Sequence, residues 1–479
     1  MKVLFIMPLP HRVYPLQVAA ITAYLKRLGH EVDYMDLELG NSDTVGSYFQ
    51  KQIEDKLEEF KPGLVAFSTY DMYYDWTNQI AKIVKDKVDV PILAGGYLAT
   101  LFPEEFFNID EIDFIGIGEG ELIMEQLLIR LEENKPCDDV PGIYVRKNGV
   151  FVENPVKNLI SDINSLPFAD RELFDNSLDS MQEHIGEPDD DTPKLFSLIA
   201  SRGCAYKCTY CANEFMREKY DNYKEFVRFR EPENICEEIE YNAKRFKFNV
   251  VSFEDAMFTG NKKWLARFSE VYKKRIGLPF YCNIRPESIS KEVAKLLADA
   301  GCVSASMGLE SGDPALRRSV LGRNMSNDLL LRVNSNLREV GINVRTFNIV
   351  GLPNESWSSL YNTLKLNYQL APFAVQTSIY YPLKGTILGD KCFDDDIVDI
   401  EKFKKIKDYA FESPLKKQKL PNWAIVGAKW LNSSIGLFRG GNLNLISTVF
   451  TMLGDKLRLD FANTKNMFVH SNDLDRERS

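Results

Sequence analysis

Three cysteines carry the sharpest chemical signal in this chain. Cys204, Cys208 and Cys211 stand in Ser201-Arg202-Gly203-Cys204-Ala205-Tyr206-Lys207-Cys208-Thr209-Tyr210-Cys211, spaced by three residues and then two. Thiolates this close together wrap around one soft metal site. A structural zinc wants a fourth ligand, and no further Cys or His follows before Cys236. Three thiolates on one loop suit a cubane iron–sulfur cluster with one iron left open for a substrate or cofactor. A zinc knuckle or a chance trio of core cysteines is the plainer alternative. The other five cysteines (Cys137, Cys236, Cys282, Cys302 and Cys392) are scattered. Eight in 479 residues are too few for a disulfide scaffold, which fits a reducing, cytoplasmic setting.

Composition narrows the function classes. With 44% apolar and 12% aromatic residues, the chain can build cores, so wholesale disorder is excluded. A net charge of −10, from 59 Lys+Arg against 69 Asp+Glu, argues against a nucleic-acid-coating protein. Val3 to Met7 is apolar, but Pro8, Pro10, His11 and Arg12 end the run. No leader or membrane span is expected.

The elements that must position the cysteines read as alternating strands and helices, an α/β chain. Strands are expected at Val3–Met7, Val32–Leu37, Leu64–Ser68, Pro91–Ala94 and Phe114–Ile117, with helices at Leu16–Leu28 and Thr44–Phe60 and from Gly120 to about Glu133. That order implies a doubly wound, Rossmann-like domain over residues 1–140, with ligands at the carboxyl ends of its strands. Residues 141–193 read as a hairpin turning at Asn148-Gly149 and then a linker with an acidic Glu187–Pro193 loop. From 194 to 390 six strands are expected: Leu195–Ala200, Asn249–Phe253, Phe280–Ile284, Val303–Met307, Val344–Val350 and Val375–Tyr380. Six units give a partial (β/α)6 barrel. Residues 391–479 form a helical extension with candidates at Trp423–Phe438 and Leu443–Leu457.

The cysteine motif, with Tyr210 in its aromatic slot, resembles the radical S-adenosylmethionine superfamily. Several further pieces resemble its cobalamin-carrying branch: Phe253-Glu254-Asp255, Cys282-Asn283-Ile284-Arg285, Gly308-Leu309-Glu310-Ser311, Gly351-Leu352-Pro353 and Tyr381-Pro382-Leu383-Lys384-Gly385-Thr386. The resemblance implies a 4Fe-4S cluster on Cys204, Cys208 and Cys211, whose open iron binds S-adenosylmethionine. Tyr210, Glu254, Asn283, Arg285, Glu310, Ser311, Arg345 and Gly351 are the expected cofactor contacts. A carboxylate would hold the ammonium or ribose hydroxyls, and an arginine the methionine carboxylate. Ordinary polar strand ends are the bland reading of the same residues.

The N-terminal segment Gly95-Gly96-Tyr97-Leu98-Ala99-Thr100, followed by Gly118-Glu119-Gly120-Glu121, resembles the cobalamin-binding domain of the same enzymes. Ser68, Thr69, Gly95, Gly96, Thr100, Gly118, Glu119 and Gly120 are the expected cobalamin contacts. Glycines there would let backbone approach the nucleotide tail closely. Pro8-Leu9-Pro10 replaces the glycine fingerprint of nicotinamide binders. The Asp-x-His-x-x-Gly motif is missing, and Leu98 stands where the family often has histidine, so no histidine is expected below the cobalt. His11 and His30 are candidates only by default; His30, after the helix stop at Gly29, reads as an exposed turn residue.

The resemblance implies a radical enzyme that methylates an unactivated carbon or phosphorus of a small, possibly anionic or amphipathic molecule, with flavodoxin or ferredoxin as electron donor and no nucleic-acid partner. The alternative keeps both cofactors but forms or rearranges a ring without methyl transfer. A methylthiotransferase would want an extra N-terminal cysteine trio, and Cys137 is the only cysteine before Cys204. A non-catalytic iron–sulfur or redox-sensing protein is the reading from a different class. Lys402, Lys404, Lys405, Lys407, Lys416, Lys417 and Lys419 make a basic stretch. It reads as a solvated linker before a packed helix, or as a lid or membrane-surface contact. Tyr70, Met72, Tyr73, Tyr74 and Trp76 form an aromatic cluster near the cobalamin edge, suited to cavity lining or to core packing.

Overall fold

The computed structural model describes residues 1–9, 14–39, 44–70, 73–157, 159–174, 194–406, 412–416 and 418–438. The acidic 187–193 loop, the Leu443–Leu457 helix, His11, His184, His470, Met72, Lys407 and Lys417 lie outside them.

The first sheet uses β1 (Lys2–Leu9), β2 (Glu31–Glu38), β3 (Leu64–Thr69), β4 (Ile92–Gly96) and β5 (Phe114–Gly116), all parallel, in the order β2-β1-β3-β4-β5. The central strands are covered on both faces, so Val3 to Met7 and Leu64 to Phe67 are buried without alternation. The hairpin expected to open the linker instead extends this sheet. Its strands β6 (Ile143–Lys147) and β7 (Val150–Val152) continue from β5 as antiparallel neighbours. Asn148 and Gly149, at φ 53° and 81°, make the turn that this pairing needs.

The second sheet is the half-barrel. Strands β8 (Leu195–Leu198), β11 (Val250–Phe253), β12 (Phe280–Ile284), β13 (Cys302–Glu310), β14 (Asn343–Val350) and β15 (Ala374–Ile379) run parallel in the order β15-β14-β13-β12-β11-β8. All six expected strands are present. A short antiparallel pair, β9 (Ser201–Arg202) with β10 (Arg228–Phe229), follows the first strand.

Strand alternation sorts the half-barrel's side chains into two faces. Phe196, Val251, Phe253, Cys282, Ala305, Met307 and Val344 point outward into one core with the surrounding helices. Their neighbours Ser197, Ser252, Tyr281, Asn283, Ser304, Ser306, Arg345, Phe347 and Ser378 point to the other, concave face. That polar face is where a barrel keeps its chemistry. Ser290, Ser326 and Ser356 cap the following helices by accepting from the amides of Val293, Leu329 and Ser359.

The helix Asn422–Phe438 packs on β15, with Ile425 and Val426 buried and Asn432 Nδ2 donating to Thr377 Oγ1 at 2.9 Å. The basic stretch before it is partly neutralised, Lys402 pairing with Glu412 at 2.8 Å and Lys416 with Asp396 at 2.6 Å. No helix among the described residues is long and apolar enough to cross a membrane.

One electrostatic clamp, buried at Arg228 and Glu121 and half-buried at Glu119 and Arg202, joins the turn after β5 to the β9–β10 pair. Arg228 grips Glu119 through two hydrogen bonds, at 2.6 and 3.0 Å. Arg202 reaches Glu121 at 2.5 Å and Glu119 at 3.4 Å. The Tyr220 hydroxyl accepts from the Glu119 amide at 2.9 Å. Burial opposes ionisation of Glu119, yet Arg228 and Arg202 together hold its pKa below the ordinary value. Removing one partner of such a pair costs about 3 kcal/mol or more. Arg228→Met should therefore lower the urea midpoint and split unfolding into two transitions; an unchanged curve would show that other contacts hold the domains.

Candidate active site

The cysteine loop leaves β9 and ends where Cys211 precedes the helix Ala212–Glu218. Gly203 sits at φ 84°, and a Cβ there would overlap the Phe226 carbonyl, so only glycine lets the chain turn into the loop. The far side of the loop is tied down by Thr209, whose amide donates to Leu321 O at 3.2 Å and whose hydroxyl donates to Val320 O at 2.5 Å.

The three cysteines share one electrostatic environment. Burial pushes the Cys204 thiol up, and the neighbouring Cys211 and Cys208 add to that shift. Arg285 donates to Cys208 Sγ at 3.1 Å and Asn213 donates to Cys211 Sγ at 3.3 Å. The Nε atoms of Arg285 and Arg323 are buried without a partner. Among the described residues no three His, Cys, Asp or Glu side chains converge on a point that could hold one metal ion. The arrangement fits a larger anionic group: three thiolate donors on one loop, with arginine and amide donors turned toward them. Ligation would release the thiol protons.

Each expected S-adenosylmethionine contact has a definite place. Arg285 ends β12, lies 3.9 Å over the Tyr206 ring and pairs with Glu287 at 2.8 Å. Glu310 ends β13 at φ 67°; burial raises its pKa, and Arg323 at 2.7 Å pulls it back. The same Arg323 donates to the Tyr210 hydroxyl at 3.2 Å and to Gly308 O at 2.7 Å. A Cβ at Gly308 would displace the Glu310 carboxylate and the Arg323 guanidinium from their pairing. Asn283 Nδ2 donates to Asp255 O at 3.1 Å. Ser311 is fully buried and its hydroxyl lies 3.5 Å from that of Thr363, so it supports the turn from within. Gly351, at φ 75°, donates its amide to Glu355 at 2.6 Å. Glu254 is exposed and accepts from Ser252 at 2.6 Å, whereas the adjacent Asp255 is buried and accepts from Ala200 N and Ser201 Oγ. Arg345 lies apart from this group, on β14 five positions before the strand's end at Val350.

The expected cobalamin residues line the carboxyl edge of the first sheet. Ser68, Gly95, Gly96, Thr100, Gly118, Glu119 and Gly120 border a cavity of about 330 Å³. Its opposite wall is Ser201, Arg202, Gly203, Asn213, Glu254 and Asp255 from the half-barrel. Several of these residues also serve the protein itself. Thr69 Oγ1 donates to Gly95 O at 2.7 Å. Thr100 Oγ1 donates to Gly96 O at 2.8 Å and accepts from the Gly118 amide at 3.0 Å, tying two strand-end turns together. A Cβ on Gly118 would strike the Tyr220 hydroxyl, and one on Gly96 would strike the Thr69 amide. Glu119 belongs to the clamp. The cavity between these turns has the size of a nucleotide-like ligand site.

The aromatic cluster divides between its two expected roles. Trp76 and Tyr73 stack in the core, whereas Tyr70 and Tyr97 stack at 5.9 Å and line the cavity. Burial and then Cys211 raise the Tyr97 hydroxyl's pKa, which sets this ring of the first domain near the cysteine loop. His30 is not the exposed turn residue expected. Its side chain is 8% exposed, with Nδ1 3.1 Å from the Met1 amine and 3.6 Å from Glu132. It follows the Leu16–Arg27 helix and adjoins the start of β2, at the opposite edge of the sheet from the cavity.

Sequence reasoning passed over Arg323, Arg202, Arg228, Tyr220 and Asn213. Arg202 and Asn213 flank the cysteine motif without belonging to it, Asn213 serving Cys211 two positions away, and the other three act through partners distant in sequence. Asp255 was within a quoted motif, but its neighbour Glu254 was the expected contact.

Two outcomes follow. Arg323→Met should free Glu310 and Tyr210 and weaken S-adenosylmethionine binding about tenfold or more while the iron content persists; unchanged affinity would remove Arg323 from the site. Burial raises Asp255 from 3.8 to about 6. A carboxyl raised on folding contributes stability below about pH 4 that is lost as pH rises through 6, about 3 kcal/mol in all. Asp255→Asn should flatten the stability–pH curve in that window, and an unchanged slope would assign it elsewhere.

Residues 4–128 match the B12 binding domain family, and residues 198–366 match the radical SAM superfamily. The chain is 23% identical over 368 residues to the uncharacterized methyltransferase PH0819 of Pyrococcus horikoshii, covering 76% of each protein. It is 26% identical over 440 residues to the anaerobic magnesium-protoporphyrin IX monomethyl ester cyclase of Rubrivivax gelatinosus, covering 87% of this chain and 74% of that one. The fold superposes with a TM-score of 0.65 on the radical S-adenosylmethionine methyltransferase TsrM of Kitasatospora setae, at 18% identity, over 82% of this chain and 76% of that one. With a cobalamin-type domain in front and a cysteine-bearing half-barrel behind, the chain belongs to the B12-binding radical S-adenosylmethionine enzymes.

Proposed function

We propose that this enzyme is a methyltransferase that acts on an unactivated carbon or phosphorus of a small molecule. One observation carries the reading. The carboxyl edges of both sheets open onto the same cavity, so the Gly95-Gly96 and Gly118 turns face the start of the cysteine loop across it. When bound, the cluster with S-adenosylmethionine supplies a hydrogen-abstracting 5′-deoxyadenosyl radical, and cobalamin supplies the methyl group.

The chain's own residues divide the remaining work. Cys204, Cys208 and Cys211 would hold the cluster. Glu310, positioned by Arg323, is placed to take the amino group or ribose of S-adenosylmethionine, and Arg285 its carboxylate. Ser68, Gly95 and Gly96 would meet the cobalamin tail, and Tyr70 and Tyr97 line the same cavity. A low-potential protein such as flavodoxin or ferredoxin would supply electrons. The packed helix Asn422–Phe438 favours a structural role for the start of the C-terminal extension over a membrane contact.

Ring formation without methyl transfer is the second reading, favoured by the cyclase that matches 87% of this chain. Product mass separates the two. Protein purified without oxygen should yield corrinoid and iron together, and its product should gain one carbon for every two S-adenosylmethionines consumed. Iron without corrinoid would sink the methyltransferase reading, and a product with unchanged carbon count would establish the cyclase one. Replacing Cys204, Cys208 or Cys211 by Ala should abolish 5′-deoxyadenosine formation; retained cleavage would refute the cluster assignment.

A further inference from the structure

Arg345 has no task in the cofactor arrangement described above. Alternation along β14 settles which way it points. Val344, Thr346, Asn348 and Val350 are buried under the helices, with Thr346 Oγ1 donating to Asn367 at 2.6 Å. Arg345, Phe347 and Ile349 therefore face the concave side. Five positions separate Arg345 from Val350, about 16 Å along the strand from the end that meets the cysteine loop. A guanidinium reaches only part of that distance.

The charges on the concave face leave Arg345 unmatched. Arg285 is used by Cys208 and Glu287, and Arg323 by Glu310. Among the described residues Glu254 is the remaining carboxylate on this face, at the far end of β11 and bound by Ser252. Among the described residues Arg345 has no ion-pair or hydrogen-bond partner, and it is exposed. Its register neighbours are Ser306 on β13 and Ala374 on β15, both too short to cover it. Between it and the strand end stand Phe347 and Ile349, both half-buried.

We propose that Arg345 binds an anionic group of the substrate, a carboxylate or phosphate, inside the half-barrel. The apolar path over Phe347 and Ile349 then carries the substrate's hydrocarbon portion up to the reacting end. This inference rests on the cofactor reading above, since it takes the concave face as the substrate channel. It names the substrate class: an elongated molecule with one anionic end and an apolar middle.

Binding of octyl phosphate and of 1-octanol to the reconstituted holoenzyme tests this, because the two probes differ in the anionic head. The wild type should bind octyl phosphate about tenfold more tightly, the scale of a charge-assisted hydrogen bond. Arg345→Gln should abolish the preference, and Arg345→Lys should keep part of it. Ser306→Glu, which sets a carboxylate beside the guanidinium, should abolish it without touching Arg345. Equal binding of the probes by the wild type would overturn the proposal. So would a preference that survives in Arg345→Gln. Loss of S-adenosylmethionine affinity alone would overturn it too, returning Arg345 to the cofactor. Failure of the cofactor reading looks different: the unmodified protein would then form no 5′-deoxyadenosine under reduction.

Discussion

The Glu119 carboxylate, held between Arg228 and Arg202, ties the two domains together at their cofactor edges. Glu119 belongs to the turn after β5, at the edge where the first domain would hold its ligand. Arg202 directly precedes Gly203 and Cys204, where the cluster loop begins. One ion-pair group therefore ties the cobalamin edge to the cysteine loop, with only Gly203 between the anchor Arg202 and the Cys204 thiol. Desolvating these charges is costly, and the cost is offset only while every partner is in place. The clamp thus favours a single docking geometry over a range of loosely related ones.

The chemistry follows from that geometry. Two cofactors that exchange a reactive group must present their reactive faces to a shared, water-poor space. The cavity of about 330 Å³ lies between the first-sheet edge and the start of the cysteine loop, and the Tyr70–Tyr97 stack and the small turn residues shape it. Support comes from hydrogen bonds within the protein. Thr100 links two turns, Thr209 holds the cysteine loop against Leu321, and Arg323 sets the orientation of Glu310. Gly118, Gly203 and Gly308 are small because a neighbouring protein group occupies the space a Cβ would need.

Much of this was legible in the sequence, for reasons that are local. Buried parallel strands announce themselves as short apolar runs, which is why the first-domain and barrel strands stand close to their expected ranges. The cysteine spacing fixes a three-thiolate loop regardless of its surroundings. The pairing of β6 with β5 was not legible, because a hairpin's own turn says nothing of the edge it joins. Arg323 was missed because it serves Glu310, thirteen positions earlier, and Tyr210, on a separate loop. The Arg228–Glu119 pair spans two domains and leaves no periodic trace. His30 follows a helix-stop glycine, which suggests a turn in solvent; the fold brings the chain's amino terminus and Glu132 against it.

The central claim is that cobalt and the iron–sulfur cluster share one cavity between the two strand edges. Anomalous scattering from crystals of anaerobically purified protein, collected at the cobalt and iron edges, tests it most directly. The account predicts iron peaks within the Cys204, Cys208 and Cys211 loop and a cobalt peak across the same cavity, beside the Gly95-Gly96 and Tyr97 edge. Cobalt absent from that cavity, or iron bound away from the three cysteines, would contradict it.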